Sequence, residues 1–168
     1  MSAANEDPER TIDAVTEGVA LRPQGDGEQL VDSSSPWDDW GVRDGPRPAD
    51  LGRLVVELDG VPVGDVSWHS VWYGPNGGSR ALNIGISLAA SARGRGVGSL
   101  AQRLLVEHLF ATTDVDRVEA STDVANIAEQ RALEKAGFTR EGVLRSAQAR
   151  ADGRHDLVSY SFLRTDLP

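Results

Sequence analysis

There is no cysteine in the 168 residues. Disulfides, thiolate metal sites and an acyl-cysteine intermediate are thereby excluded. Any acyl transfer by this chain must use another nucleophile or let the acceptor attack directly. No apolar run approaches the ~18 residues that a membrane helix needs. The stretch from Met1 to Arg10 is polar and acidic, with neither a basic n-region nor an apolar h-region. It does not read as a secretory signal, and a cytoplasmic protein without membrane binding is expected. Basic residues are scarce in positions 1–50, which hold 4 Lys/Arg against 12 Asp/Glu, whereas positions 51–168 hold 13 against 14. Nucleic-acid binding needs a basic footprint, so no nucleic-acid partner is expected. The surplus acid favours a cationic or amine-bearing partner, or serves solubility alone.

What is present reads as one ordinary domain, expected over residues 18–168 behind a flexible acidic tail over 1–17. Val19-Ala20-Leu21 is a short strand stopped by Pro23. Residues 24–50, rich in Gly, Asp, Ser and Pro, are loop with at most a short helix, and contain Pro36-Trp37-Asp38-Asp39-Trp40. Strands are expected at Leu54 to Leu58 and Val61 to Trp68 around the Asp59-Gly60 turn, and at Ala81 to Leu88. Leu100, Leu104, Leu105 and Leu109 repeat with helical spacing in a helix from Ser99 to Phe110. A strand from Arg117 to Thr122 precedes a helix from Asn126 to Ala136. Asn126 suits its N-cap, Glu129 a capping box, and Gly137 the left-handed C′ position. Residues 141–150 and 154–164 form a hairpin around Asp152-Gly153. The order of elements gives a mixed α/β layer fold.

Arg93-Gly94-Arg95-Gly96-Val97-Gly98 joins a strand to a helix. Glycines let the backbone approach a ligand, and free N–H groups at a helix start bind phosphate. A Walker phosphate loop requires Gly-Lys-Ser/Thr, and this turn ends Val97-Gly98-Ser99 without lysine. A dinucleotide fingerprint requires a third glycine where Ser99 stands, within parallel βαβ units that the preceding hairpin contradicts. A pyrophosphate cradle of another kind remains.

Asn83-Ile84-Gly85-Ile86-Ser87-Leu88 followed by Arg93 to Gly98 resembles the coenzyme A motif of the GNAT superfamily of N-acetyltransferases. Asn126, with Leu133-Glu134-Lys135-Ala136-Gly137-Phe138, resembles that family's second motif. The stretch from Glu141-Gly142 to Asp156 is similar to the branch that acetylates ribosomal protein N-termini. The likeness covers about residues 52–165. It implies a twisted, mostly antiparallel sheet with flanking helices and one splayed parallel strand pair, here residues 81–88 and 117–122. It implies acetyl-CoA as acyl donor, with no metal. Ile86, Ser87 and Leu88 would pair with the pantetheine amides. Arg93, Gly94, Arg95, Gly96, Val97, Gly98 and Ser99 would hold the pyrophosphate, and Asn126 the pantetheine arm. The sequence departs from the family in carrying Leu133 where many members have an acidic tyrosine, Glu129 where the ribosomal branch often has serine, and Asn83 where many have glutamate.

An amine attacks a thioester only when neutral, so a base must take its proton. Glu119, in the strand beside the expected splay, and His69, at the end of the second strand of the first hairpin, are the base candidates. Tyr73 is a weaker acid candidate at the acceptor side. Trp37, Asp38, Asp39 and Trp40 combine aromatic faces with carboxylates and suit a cationic amine. Residues 22–50 are too short for the two helices that usually wall the acceptor site. The acceptor pocket is therefore either open or completed by the second subunit of a homodimer. Two functions stay open: direct acetyl transfer to a small-molecule amine or a protein N-terminus, and an acyl-CoA-binding sensor or scaffold.

Overall fold

A computed structural model describes residue 18 onward in full and residues 12–16 as backbone. Ile12–Thr16 (β1) and Val19–Arg22 (β2) open the chain. The expected tail thus contains a strand, and its remaining residues lie outside those described. A long connection with one three-residue turn of helix, Pro36–Asp38, leads to Gly52–Leu58 (β3). Val61–Trp72 (β4), Arg80–Leu88 (β5), helix Val97–Thr112 (α1) and Arg117–Asp123 (β6) follow. Helix Ile127–Ala136 (α2), Thr139–Arg150 (β7) and Gly153–Leu163 (β8) complete the order.

The described strands form one sheet in the order β1-β2-β3-β4-β5-β6-β8-β7. Every neighbouring pair is antiparallel except β5 with β6. β8 lies between β6 and β7, so the chain leaves α2 for the sheet edge and returns inward. The β3–β4 hairpin turns at Asp59 (φ 52°) and Gly60 (φ 78°), two left-handed residues that follow the twist of the flanking strands. β4 runs four residues beyond the expected Trp68, which places His69 inside a strand.

α1 is amphipathic. Ala101, Leu104, Leu105, Val106 and Leu109 are buried against Leu21, Val56, Val66, Leu82 and Val118 on one sheet face. The apolar face is wider than the leucines alone suggest. α2 lies beside α1 on this side, with Leu133 and Ala136 buried. A Cβ on Gly98 would stand 3.6 Å from Leu88 and 3.9 Å from Ala132, so the two helices approach closely at small residues. Gly137 takes φ 101° as the C-cap, and Phe138 packs back on Phe162.

Among the described glycines, Gly64 is the one whose added Cβ would come nearest to backbone atoms. It follows a bulge at Val63 and opposes Leu88. A Cβ there would lie 2.1 Å from the Ser87 carbonyl oxygen and 2.9 Å from Leu88 Cα, both backbone atoms. Gly64→Ala should therefore force β4 and β5 apart and lower stability by about 2–3 kcal/mol, in the upper range for overpacking. Urea unfolding checks this; a loss below ~0.5 kcal/mol would show that the strands accommodate the methyl.

Candidate active site

Three residue pairs join the parallel strands: Leu82 with Val118, Asn83 with Glu119, and Ile84 with Ala120. Pairing then stops. β5 continues to Leu88 on β4 alone, and β6 continues to Asp123 on β8 alone. The edges of residues 85–88 and 121–123 that face one another have no strand partner. A cavity of about 620 Å³ occupies this gap. Ile84 to Leu88 and Ala120 to Asp123 line its sides, Gln102 of α1 and Glu129 of α2 one mouth, and Trp37, Trp40 and Arg150 the other. An unpaired backbone edge is a ready partner for an extended polar chain.

The glycine turn closes one end of the gap. Gly94 (φ 69°) and Gly96 (φ 83°), the N-cap of α1, are left-handed, and a Cβ on either would meet nothing within 4 Å. These glycines are required by backbone conformation and leave open space for a ligand. The N–H groups of Val97, Gly98 and Ser99 find no acceptor among the described residues. Free N–H groups at the positive end of a helix dipole favour a negatively charged partner. Arg93 has another task. Its guanidinium donates to the carbonyls of Leu88 (2.9 Å), Ser33 (2.9 Å) and Ser34 (2.8 Å), tethering the 22–50 connection to the end of β5. Arg95 is exposed.

Asn126 Oδ1 accepts the Glu129 N–H at 3.3 Å and caps α2. The reciprocal half of the expected capping box is absent, because the Asn126 N–H donates to the Asp123 carbonyl at 2.9 Å. Glu129 is thereby released from the cap. Its carboxyl lines the cavity beside the Gln102 amide, and burial pushes its pKa up to about 7, with Gln102 pulling the other way.

The proton-transfer candidates lie on the sheet face opposite α1. His69 opposes Asn83, which opposes Glu119, so the three form one row across β4, β5 and β6. Glu119 is 8% exposed, and it lies within the last paired residues rather than in the gap. Its carboxylate accepts from the Tyr73 hydroxyl (2.6 Å) and Arg117 Nε (3.0 Å). Arg117 also grips Glu141 through two bonds of 2.8 and 2.6 Å. The hydrogen bond to Glu119, with burial, raises the pKa of Tyr73. The fold thus joins Tyr73 to Glu119. His69 stands two strands away, about 10 Å at ordinary strand spacing. It lines a separate, more open groove with Asp50, Trp72 and Arg80.

Trp37 and Trp40 already hold a cation. The Arg150 guanidinium sits 5.7 Å from both ring centroids and 3.3 Å from Asp123. The Ala151 N–H donates to the Asp39 carbonyl at 3.0 Å, pinning this segment on the β7–β8 hairpin. Asp38 accepts from Ser35 Oγ at 2.5 Å, and Asp39 is exposed. Asp123, 3% exposed, also accepts from the Ala125 N–H (2.8 Å) and contacts His155 Nδ1 (2.6 Å). Burial alone would raise its pKa, but these partners hold it below the usual aspartate value.

The acetyltransferase (GNAT) domain family matches residues 4–139. The chain belongs to this family. The match begins earlier than the expected likeness over 52–165 and ends at the first residue of β7. YdaF of Bacillus subtilis (strain 168), whose name gives ribosomal N-acetyltransferase activity as not yet proven, is 30% identical over 120 residues, covering 70% of this chain and 63% of YdaF. Mycobacterium smegmatis RimJ, solved with CoA-disulfide, superposes with a TM-score of 0.63 at 26% identity, covering 70% of this chain and 55% of RimJ. Aminoglycoside acetyltransferase AAC(6')-Ib, solved with coenzyme A, gives a TM-score of 0.58 at 27% identity, covering 69% and 68%. The chain therefore spans less than two thirds of YdaF and of RimJ.

Within this GNAT chain, sequence reasoning missed Gln102, Arg117, Arg150 and the cavity-facing role of Glu129. Gln102 left one signal, a polar residue inside the apolar stripe of α1. Arg150 left none, since its partners lie over a hundred residues earlier and on another strand. Arg150→Met should lower stability by about 3 kcal/mol near pH 8, because Asp123 would keep a buried charge with only the Ala125 N–H and a neutral His155 to hold it. Asp152, followed by Asp123, raises the pKa of His155. The histidine's support is full below its unfolded value of about 6.5 and fades as pH rises through the raised folded value. Urea unfolding should find the variant's deficit smaller near pH 5.5 than near pH 8.5, and an equal deficit at both would remove His155 from this cluster.

Proposed function

We propose that this chain is an acetyl-CoA-dependent N-acetyltransferase that moves the acetyl group directly to a primary amine. The observation that carries the reading is the gap between β5 and β6, open to both sheet faces and closed at one end by the α1 anion site. The residues present fit coenzyme A. The free edge of Ile86 to Leu88 would pair with the pantetheine amides, and the N–H groups from Gly94 to Ser99 would bind the pyrophosphate. Asn126, whose Oδ1 caps α2, would offer its amide N–H2 to the arm. Coenzyme A would supply the activated acetyl thioester. The absence of cysteine and of a Gly-x-Ser-x-Gly elbow favours direct transfer over an acyl-enzyme. Arg93 acts in this reading as a tether, since its side chain is engaged with the connection and its N–H donates to the Ala90 carbonyl at 3.3 Å.

The Trp37–Trp40 wall and Arg150 bound the acceptor mouth, with Asp38, hydrogen-bonded to Ser35, on its lining. A protein N-terminus and a small-molecule amine are both acceptors of the right chemistry, and the names of YdaF and AAC(6')-Ib point one to each. Proton removal falls to Glu119, supported by Tyr73, with His69 as the alternative from the adjoining groove. The cytoplasm, where acetyl-CoA is made and used, is the proposed location.

Thiol release and product mass from acetyl-CoA with kanamycin, spermidine and a short free-amine peptide test the activity. Release with at least one acceptor is expected; coenzyme A binding without release would support a sensor or scaffold instead. Gly96→Asp puts a side chain and a negative charge at the α1 N-terminus. It should weaken acetyl-CoA binding at least tenfold, about 1.4 kcal/mol, by calorimetry. Unchanged affinity in the folded variant would move the pyrophosphate elsewhere. Glu119→Gln should lower kcat by roughly 10²-fold with coenzyme A binding retained. Should it keep the wild-type kcat while His69→Ala loses it, the base is His69.

A further inference from the structure

β4 runs past the start of β3. Their pairing ends at Gly52 with Trp68, whereas β4 continues to Trp72 on β5 alone. Backbone groups along an antiparallel strand point alternately to its two sides. The Ser70 N–H points away from β5 and donates to the Asp50 carboxylate at 3.0 Å, which stands where a strand partner's carbonyl would be. The Tyr73 N–H donates to the Ser79 carbonyl on the opposite side. The Trp72 N–H therefore also points away from β5, and it has no acceptor among the described residues.

A groove of about 550 Å³ runs along this free edge. Pro46, Pro48 and Trp72 give it apolar walls. Trp72 is 57% exposed, although tryptophan is on average a highly buried residue. The chain carries a net charge of -9, yet two guanidiniums line this groove, Arg47 and Arg80, against the one carboxylate of Asp50. Arg47 is exposed and makes no ion pair among the described residues. Arg80 holds Asp114 at 2.9 Å, but that carboxylate is 91% exposed, and so open a pair is readily exchanged.

The groove is continuous with the cavity. Ser67 lines the cavity, and His69, two residues on and so on the same sheet face, lines the groove. From Ser67 to Trp72 the strand rises about 17 Å. A small amine does not span that distance, whereas about five extended residues do.

We infer that the free edge of β4 docks a polypeptide acceptor: its amino terminus lies at the gap, and an acidic segment a few residues on adds as a strand beside Ser70 and Trp72. This docking rests on the acetyl-transfer reading above and selects protein N-termini among its acceptors. Main-chain bonds to the edge supply affinity, and alternate side chains of the added strand supply specificity. Trp72 and its cross-strand partner Arg80 lie on one face of the sheet and His69 on the other. Tryptophan and arginine are the usual anchors of such contacts.

The test compares three free-amine peptides that begin with alanine: a decapeptide with glutamate at its fourth and sixth positions, the same peptide with arginine there, and the tripeptide of its first three residues. The chain as a whole is acidic, so general electrostatics favour the arginine peptide and a preference for glutamate reads the groove. Thiol release should give the acidic decapeptide a kcat/KM roughly tenfold above either of the others. Trp72→Ala and Arg47→Glu should each remove that advantage by raising KM at unchanged kcat, with the tripeptide and coenzyme A affinity as in the wild type. Arg47→Glu should also turn the preference toward the arginine peptide. Equal kcat/KM for the tripeptide and the acidic decapeptide would overturn the docking, as would a wild-type KM for the decapeptide in both variants. Binding is read separately by fluorescence anisotropy, with the acidic decapeptide acetylated at its amino end and labelled at its carboxyl end. The wild type should bind it, and Trp72→Ala roughly tenfold more weakly. No binding, or equal binding by the variant, counts against the groove even where transfer is intact. Binding by a protein that releases no thiol with any acceptor would support the groove and overturn the transfer reading.

Discussion

The site depends on hydrogen bonds that the sheet does not make. β5 and β6 pair as far as Ile84 and Ala120, and each then keeps only its outer neighbour. Facing unpaired edges inside one sheet are unfavourable unless a ligand or water satisfies them. Here the gap opens at the carboxyl ends of two parallel strands, where open α/β sheets offer their crevices. The glycine turn follows β5 and Asn126 follows β6, so both stand at the same break in pairing. The close approach of Gly98 and Ala132 then sets α1 and α2 side by side across one mouth.

Charge in this protein is largely spent on itself. Arg93 secures residues 33 and 34, Arg117 ties Glu119 to Glu141, and Arg150 fills the bracket of Trp37 and Trp40. Part of the acidic surplus of the first fifty residues is likewise structural. Glu28 pairs with Arg22, and Asp50 accepts the Ser70 N–H. The acceptor mouth is accordingly less acidic than the composition suggests. Glu129 lies at the cavity beside the uncharged Gln102 amide.

The 22–50 connection, read from the sequence as too short for two helices, is irregular apart from one turn of helix at Pro36–Asp38. It holds its position through a few long-range contacts rather than through regular structure: the Arg93 tether to Ser33 and Ser34 and the Asp39–Ala151 bond in its middle, and the Asp50–Ser70 bond at its end. A connection held in this way can differ in sequence while the gap beneath it stays the same.

The sequence by itself determined whatever depends on neighbours along the chain. The helical period of α1, the Asn126 cap and Gly137 stop of α2, the Asp59-Gly60 turn and the left-handed glycines before α1 all lie within a few residues of the groups they serve. Strand extents were nearly as legible, apart from β1, which forms by pairing with β2, and β4, whose Ser70 to Trp72 extend only by pairing with Leu82 to Arg80. Only the tertiary structure decided where charges and aromatic faces meet. Tyr73 reaches Glu119 across 46 positions, and His155 reaches Asp123 across 32. Arg150 finds two tryptophans more than a hundred residues away, occupying a bracket that the sequence suggested for a substrate. Glu129 turned from cap to cavity because Asp123, a residue of another element, took the Asn126 N–H. Local pattern fixes a backbone's conformation, whereas the partner of a charge is fixed by whichever group the fold brings within hydrogen-bond distance.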